Sequence, residues 1–133
     1  MLNAKCIIYT SMTPIDLQKR TKQFSLQGIF LVDSLPHTPA GRTVSNQFIR
    51  CVTSVGANYR AACRARSRAE FISKIGIVIE EADECCYWLE IAIDAKLLST
   101  QQVEPLLKEA RELTAIMIAS ANSAAKNRTN INN

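Results

Sequence analysis

The chain has 133 residues, of which 47% are hydrophobic and 21% charged, and its formal net charge at pH 7 is +4. This length fits a single domain that can bury a core without metal or disulfide support. The chain contains only four glycines and four prolines, which argues against disorder and against a turn-rich all-β fold. Its longest apolar run, residues 75–79, is far shorter than the roughly 20 residues that span a bilayer.

The five cysteines form an odd set without the spacing of a secreted disulfide framework, and no leader with an apolar signal core is evident. They are Cys6, Cys51, Cys63, Cys85 and Cys86. We therefore expect a reducing, cytoplasmic location. Adjacent side chains on a helix point about 100° apart, so Cys85 and Cys86 are not expected to form a disulfide with each other. Buried packing is the expected role of these two, of Cys51 and of Cys63.

A first helix is predicted at about residues 14–35, after an N-terminal extension of residues 1–12. Thr13 is a suitable N-cap, and the proline that follows it suits the first helical position. The proline-rich segment 35–39 is expected to end the helix. The predicted core positions recur at helical intervals. They are Leu17, Phe24, Leu31 and Leu35, with Ile29 and Val32 broadening the stripe.

A second helix, at about residues 42–65, is predicted from apolar residues at spacings of three and four. These residues are Val44, Phe48, Val52, Val55, Tyr59 and Ala62. A third helix, at about residues 68–95, follows Ser67 and Glu70, which have the spacing of a capping box. In such a box the serine hydroxyl accepts from the Glu70 amide, and the glutamate accepts from the Ser67 amide. The core stripe of this helix is predicted to be Phe71, Ile75, Val78, Ala82, Cys85, Leu89 and Ile93.

A fourth helix is predicted at about residues 100–126, and its core positions continue the same spacing. They are Val103, Leu106, Ala110, Leu113 and Met117. Ser99 and Gln102 have the spacing of a second capping box. Because Pro105 cannot donate to the carbonyl four residues earlier, Glu104 is an alternative first residue of the regular helix.

These four amphipathic helices make up one predicted domain, residues 13–127, followed by a polar tail, residues 128–133. The links between the helices are short, and the chain shows neither strand-like alternation nor an internal repeat. The sequence therefore predicts an all-α fold, an antiparallel up-down-up-down four-helix bundle.

Three segments of the chain resemble a known family. They are Ser54–Arg60 (SVGANYR), Ser67–Ile72 (SRAEFI) and the acidic helix Ile79–Glu84 that continues to Trp88-Leu89-Glu90. Over roughly residues 13–126 the chain resembles the bacterial four-helix-bundle proteins related to those encoded by intervening sequences of 23S ribosomal RNA genes. It is more distantly similar to the accessory protein of diversity-generating retroelements, a pentameric bundle that binds a reverse transcriptase and nucleic acid. The resemblance implies a ring-shaped homopentamer with a role in nucleic-acid interaction, and no catalytic residue.

Four arginines and no acidic residue fall between positions 60 and 68. They are Arg60, Arg64, Arg66 and Arg68. One interpretation is a nucleic-acid site, because guanidinium groups bind phosphates and release counterions. The other is that these side chains pair with acidic residues of the next helix. The nearby aromatic residues lie on the predicted core stripes, so base stacking is not expected.

The acidic residues of the third helix also admit two interpretations. They are Glu80, Glu81, Asp83, Glu84 and Glu90. Di-iron bundles bind metal through glutamates together with Glu-x-x-His motifs. This chain has no such motif, and its single histidine, His37, lies between prolines. We therefore expect a solvated or interfacial salt-bridge face, with no metal and no cofactor.

Three large apolar residues of the third helix lie far from its predicted core stripe, on a face shared with Glu84. They are Ile77, Trp88 and Ile91. A monomeric bundle would leave them exposed, so the sequence predicts that they form an interface between copies of the chain. Scattered surface hydrophobes are the competing interpretation.

The leading functional hypothesis is a non-enzymatic homo-oligomer, a pentamer by the resemblance, that binds RNA or DNA through the four arginines. Repetition of a modest basic patch would give it avidity for one polyanion. The alternative is a protein–protein adaptor or assembly factor that uses the acidic and apolar face of the third helix. Neither a Gly-x-Ser-x-Gly elbow nor a phosphate-binding glycine loop is evident, so we expect no enzyme activity. The short apolar runs predict no membrane partner.

Overall fold

The computed structural model describes residues 12–129 and the side chains of residues 12–126. The helices are α1 Pro14–Val32, α2 Pro39–Cys63, α3 Arg68–Asp94 and α4 Thr100–Thr129. The described part contains no β-strand, so the predicted all-α class is confirmed. No helix within it combines the length and the apolar character needed to cross a membrane.

Helices α1 and α2 run in opposite directions. Thr21 of α1 lies beside Gly56 of α2. One turn further along α1, the Ser25 hydroxyl donates to the carbonyl of Val52 at 2.7 Å. Val52 lies one turn earlier in α2 than Gly56, so advancing along α1 means moving backwards along α2. This is the antiparallel arrangement that the short link between the two helices requires.

The remaining contacts complete the up-down-up-down bundle. Between α3 and α4, Glu90 pairs with Arg111 towards one end, while Phe71 and Ser120 line one cleft towards the other. Helices α2 and α3 are joined by residues 64–67 and pack along their lengths. Both α1 and α3 pack against α2 and α4, so α1 and α3 occupy diagonal positions.

The start of α1 agrees with the prediction. The Thr13 hydroxyl accepts a hydrogen bond from the Asp16 amide at 3.1 Å, and the Asp16 carboxylate accepts one from the Thr13 amide at 3.0 Å. This capping box satisfies two amide groups that have no partner within the helix. Hydrogen bonds to this carboxylate from the amide and then from the side chain of Thr13 lower the pKa of Asp16, so the carboxylate stays charged at the positive end of the helix dipole.

The turn between α1 and α2 lies earlier in the chain than predicted. Helix α1 ends at Val32 rather than at residue 35, and Leu35 is buried in the turn itself. Helix α2 begins at Pro39 rather than at residue 42, because the Thr38 hydroxyl caps it by accepting from the Gly41 amide at 3.1 Å. The Thr-Pro pair that starts α1 is therefore repeated at the start of α2.

The cap of α3 is confirmed in one half and shifted in the other. The Ser67 hydroxyl accepts from the Glu70 amide at 3.1 Å, as predicted. The Glu70 carboxylate accepts from the amide of Arg66 at 2.9 Å, rather than from that of Ser67. Its negative charge is therefore held within the arginine-rich turn.

The second predicted capping box is present at the start of α4. The Ser99 hydroxyl accepts from the Gln102 amide at 3.1 Å, and the Gln102 side chain accepts from the Ser99 amide at 3.0 Å. The helix therefore begins at Thr100, and the alternative start at Glu104 is wrong. Pro105 lies inside the helix, where it leaves one carbonyl of the preceding turn without its usual donor.

Two predicted segments fall mostly outside the described residues. They are the N-terminal extension, residues 1–12, and the polar tail, residues 128–133. Met12 is described, and it is half-buried against the core, so it belongs with the bundle. Helix α4 continues to Thr129, so the first part of the predicted tail is helical.

The predicted core stripes of α2 and α4 are buried throughout, whereas that of α1 needs revision. Helix α1 buries Thr21 and Gly28 towards α2, and Ile29 is 38% exposed. Thr21 hydrogen-bonds to its own helix at the carbonyl of Leu17, at 2.8 Å. A Cβ at Gly28 would lie 2.6 Å from a methyl group of Val52. Small residues, not large ones, set the distance between these two helices.

Candidate nucleic-acid interface

The four predicted arginines lie at one end of the bundle, around the turn from α2 to α3. Arg60 is in the last turn of α2, Arg64 is its C-cap, Arg66 is in the turn and Arg68 opens α3. All four are exposed, and the turn itself, residues 64–67, contributes no buried residue. The structure therefore brings the predicted cluster together on one solvent-facing surface, which we call the arginine end.

The ion pairs within residues 12–126 belong to other arginines. Arg20 pairs with Glu109 and Glu112, Arg50 with Glu81 and Glu84, and Arg111 with Glu90. None of the four clustered arginines forms an ion pair with a described residue. The interpretation in which they pair with acidic residues of α3 is therefore wrong for this part of the chain. Arg50 takes those partners, and its hydrogen bond to Glu84 raises the pKa of its guanidinium.

The local charge at the arginine end is strongly positive. The nearby carboxylates among the described residues are Asp16 and Glu70, and both accept backbone hydrogen bonds. Lys19, Lys22 and Lys74 add further positive charge near this end. Unpaired cations concentrated on one surface attract polyanions more strongly than the net charge of the whole chain suggests.

A cleft of about 490 Å³ between α1 and α2 extends from the arginine end along the bundle. Its lining comprises Ile15, Gln18, Lys19, Lys22, Ser25, Thr53, Gly56, Ala57 and Arg60. Ile29 and Ile49 lie one helical turn beyond Ser25 and Thr53, respectively, and are 38% and 37% exposed. Residues four apart share a helix face, so these isoleucines prolong the cleft. We call the whole feature the α1/α2 groove.

The aromatic residues near the arginine end serve the core. Tyr59 is buried, and burial is the main cause of the increase in its pKa. Phe71 is half-buried against the core. Neither ring presents a free face for a nucleobase, so the described residues of this surface can contact the phosphate backbone through their guanidinium groups but offer no stacking platform.

The predicted interface residues of α3 differ in exposure. Ile77 is 41% exposed, but Trp88 and Ile91 are half-buried against the core. The Trp88 indole lies 3.5 Å from the carboxylate of Glu84, which is itself paired with Arg50 of α2. Trp88 therefore lies on the edge of α3 next to α2, and the expectation that Trp88 and Ile91 are exposed is wrong.

Sequence reasoning missed Tyr87, which is 54% exposed and packs edge-on against Trp88 with ring centroids 5.0 Å apart. It lies on the outer side of α3 with Ile77, Glu80 and Asp83. Neither Glu80 nor Asp83 forms an ion pair with a described residue. The spacing of three, three and four residues from Ile77 through Glu80 and Asp83 to Tyr87 was the available signal. We call these four residues the α3 ridge.

The cysteines of the helices are buried, apart from Cys63, which is exposed at the end of α2. The prediction of buried packing is thus wrong for Cys63 and confirmed for Cys51, Cys85 and Cys86. The Cys85 thiol lies 3.3 Å from the Cys51 sulfur, and this hydrogen bond together with burial raises the pKa of Cys85. Burial raises the pKa of Cys86 to about 11. The thiols of Cys85 and Cys86 are therefore protonated at neutral pH and poorly nucleophilic.

The described part of the chain offers no candidate metal site. His37 is exposed in the turn between α1 and α2, where its carbonyl accepts from Arg42 at 3.1 Å. No group of three or more histidine, cysteine, aspartate or glutamate residues in the described region is placed to hold a metal ion.

Comparisons with known proteins agree with this architecture. A family model described as "23S rRNA-intervening sequence protein" matches residues 14–119. A crystal structure from Bacteroides thetaiotaomicron VPI-5482, described as a protein of unknown function from the S23 ribosomal protein family, is 31% identical. It superposes with a TM-score of 0.77 and covers 84% of this chain and 99% of its own. No curated protein matches the sequence. Since the family model spans most of the bundle, the chain belongs to the 23S rRNA-intervening sequence protein family.

Proposed function

We propose that this protein is a non-enzymatic cytoplasmic bundle that binds RNA or DNA through the arginine end. We also propose that copies of the chain assemble, so that several arginine ends act on one polyanion. The observation that supports nucleic-acid binding is the contrast among the arginines. Arg20, Arg50 and Arg111 are paired with carboxylates, whereas the clustered Arg60, Arg64, Arg66 and Arg68 are exposed and form no ion pair with a described residue. Arg42 forms no ion pair either, but it lies towards the opposite end of the bundle, away from the cluster.

Clustered, unpaired arginines raise the electrostatic free energy of the free protein, and binding of an anion offsets that cost. The like charges of the exposed guanidinium groups repel one another. Bound phosphates relieve this repulsion, and the guanidinium groups displace cations condensed on the nucleic acid, whose release favours binding most strongly at low salt. Since no aromatic face among residues 12–126 is free at this end, the contact should depend on backbone charge and shape rather than on base sequence.

The test is binding of a labelled mixed-sequence RNA and of a duplex DNA, followed by fluorescence anisotropy over a series of salt concentrations. Replacing all four arginines by alanine should weaken binding at least about tenfold. It should also make the dependence of log K on log salt shallower by up to ~3.6, because each of the four lost phosphate contacts contributes about 0.7–0.9.

The matched control removes positive charge elsewhere. Arg42 and Lys108 are exposed and lie towards the opposite end of the bundle, so an Arg42→Ala/Lys108→Ala variant should bind nearly as well as the wild type. Equal binding by the wild type and the fourfold arginine variant would show that nucleic acid is not bound at this end.

A second candidate function is protein–protein contact through the α3 ridge. The supporting observation is that Ile77 and Tyr87 are exposed on either side of Glu80 and Asp83, two carboxylates without an ion-pair partner among the described residues. Co-purification of a defined protein that is lost on ridge substitution, with no nucleic acid present, would favour this function over the first.

A further inference from the structure

The α1/α2 groove and the α3 ridge carry complementary patterns along their lengths. In the groove, Ile15 is followed by the cations Lys19 and Lys22, and then by Ile29 across from Ile49. In the ridge, Ile77 is followed by the carboxylates Glu80 and Asp83, and then by Tyr87. Each surface is therefore apolar at both ends and charged at its centre. The central charges are positive in the groove and negative in the ridge.

The dimensions of the two surfaces are compatible. At 1.5 Å per residue, the ridge from Ile77 to Tyr87 is about 15 Å long, and the groove from Ile15 to Ile29 is about 21 Å long. The floor of the groove is made by Gly56 and Ala57, which lack bulk, so a helix can approach closely there. The ridge is therefore short enough to lie within the groove.

The two surfaces cannot meet within one chain. The groove lies between α1 and α2, while the ridge is on the outer side of α3, which is diagonal to α1. Neither Lys19 nor Lys22 of the groove, nor Glu80 nor Asp83 of the ridge, forms an ion pair with a described residue. Lys19 lies close enough to Asp16 to contribute to the lowering of the pKa of that carboxyl group. Complementary surfaces on opposite sides of one molecule can satisfy each other only between molecules.

We infer that the α3 ridge of one copy of this chain docks into the α1/α2 groove of a second copy. The apolar residues at both ends of the contact leave water together, and the central lysines pair with the central carboxylates. Because the two surfaces differ, the contact is head-to-tail, and its repetition closes into a ring or extends as a chain. This inference rests on the self-association in the proposed function and names the surfaces responsible for it.

A charge-reversal experiment tests the docking directly. The groove variant is Lys19→Glu/Lys22→Glu, the ridge variant is Glu80→Lys/Asp83→Lys, and the mass is measured by light scattering after gel filtration. The wild type should have a mass that is a multiple of 14.8 kDa. Each variant alone should fall to the monomer mass, because like charges then face each other across the contact.

Two further samples separate loss of docking from loss of folding. An equal mixture of the groove and ridge variants should associate into assemblies with an even number of chains, because each acidic groove meets a basic ridge and each basic groove meets an acidic ridge. The chain with all four substitutions should associate with itself again. Lys108→Glu, at an exposed site of α4 outside both surfaces, is the control and should keep the wild-type mass.

The outcomes are distinguishable from those of the nucleic-acid test. A monomeric wild type, unchanged mass in the two reversal variants, or no recovery in the mixture and in the fourfold variant would each overturn the docking. An Arg64→Ala/Arg66→Ala/Arg68→Ala variant should keep the wild-type mass while losing nucleic-acid affinity. If that variant instead becomes monomeric, the arginine end forms the contact and the groove does not.

Discussion

The two ends of the bundle are built on different principles. We call the end that holds the α1–α2 and α3–α4 turns the closed end. Leu35 and Leu98 lie in these turns, outside the helices, and are buried in the core. At the arginine end, the α2–α3 turn buries none of its residues and exposes Arg64 and Arg66. The turns of the closed end complete the core, whereas the turn of the arginine end only reverses the direction of the chain.

This difference separates residues that the fold needs from residues that it merely tolerates. A turn that packs into the core is constrained by sterics, and substitutions there cost stability. A turn that packs against nothing is free to carry charges that repel one another, provided that the helices on either side are well capped. The arginine end therefore has room for a binding surface that the closed end lacks.

The largest expected effect concerns Gly41, in the first turn of α2 at the closed end. A Cβ at this position would overlap the carbonyl oxygen of Pro36, so the turn would have to move. We expect Gly41→Ala to lower the free energy of unfolding by about 2–4 kcal/mol, measured by urea denaturation. The control is Gly76→Ala, because a Cβ at Gly76 would meet nothing within 4 Å. This change should stabilise the protein by about 0.5–1 kcal/mol, and equal effects at both glycines would contradict the steric explanation.

A smaller effect is expected when a paired arginine is compared with an unpaired one. Arg20 pairs with Glu109 and Glu112, which links α1 to α4, and its side chain is only 22% exposed. Arg20→Ala should cost about 1–2 kcal/mol of unfolding free energy, because two adjacent carboxylates lose their shared partner. Arg64→Ala should change stability by less than about 0.5 kcal/mol. Thermal or urea unfolding of both variants checks this, and a large loss in Arg64→Ala would show that the arginine end also supports the fold.

The smallest effect tests whether the cap and the charges of the arginine end act independently. Ser67 caps α3 through its hydroxyl, so Ser67→Ala should cost about 1 kcal/mol of stability. Nucleic-acid affinity, measured at a temperature at which the variant is fully folded, should change little because the arginines remain. Ser67→Asp offers a matched comparison: it keeps the cap but adds a negative charge, so stability should be kept and affinity should fall. Equal affinity in the two variants would count against binding at this end.

Much of the fold follows from local sequence signals. Thr13 before a proline, Ser67 three residues before Glu70, and Ser99 three residues before Gln102 each mark a helix start that the structure has. The pair Thr38-Pro39 is the same signal, but the prolines around it led the prediction to place the turn about three residues too late in the chain. The error in the first link therefore came from overlooking a recognisable cap.

The errors in burial have a different origin. Thr21 and Gly28 are buried because α2 approaches α1 closely, and a periodicity of large apolar residues cannot show this. The half-burial of Trp88 likewise depends on its position at the edge of α3 beside α2. Such features depend on which faces of two helices meet.

The candidate site shows the same limit. The sequence places four arginines together, but it does not say which arginines find acidic partners. That depends on Arg50 lying opposite Glu81 and Glu84, and on Arg20 lying opposite Glu109. The competition among arginines for carboxylates is decided by tertiary packing, so the unpaired state of the cluster becomes visible only in the folded chain.

The even number of helices has a practical consequence for experiments. Residue 12 and residue 129 both lie at the end of the bundle that carries the arginine-rich turn. An affinity tag or fluorescent protein fused to either terminus would therefore join the bundle beside the surface whose binding is to be measured, and an acidic fusion would compete with nucleic acid. A label attached in the opposite turn, at exposed Ser34 or His37, would lie about the length of a helix away and would leave that surface free.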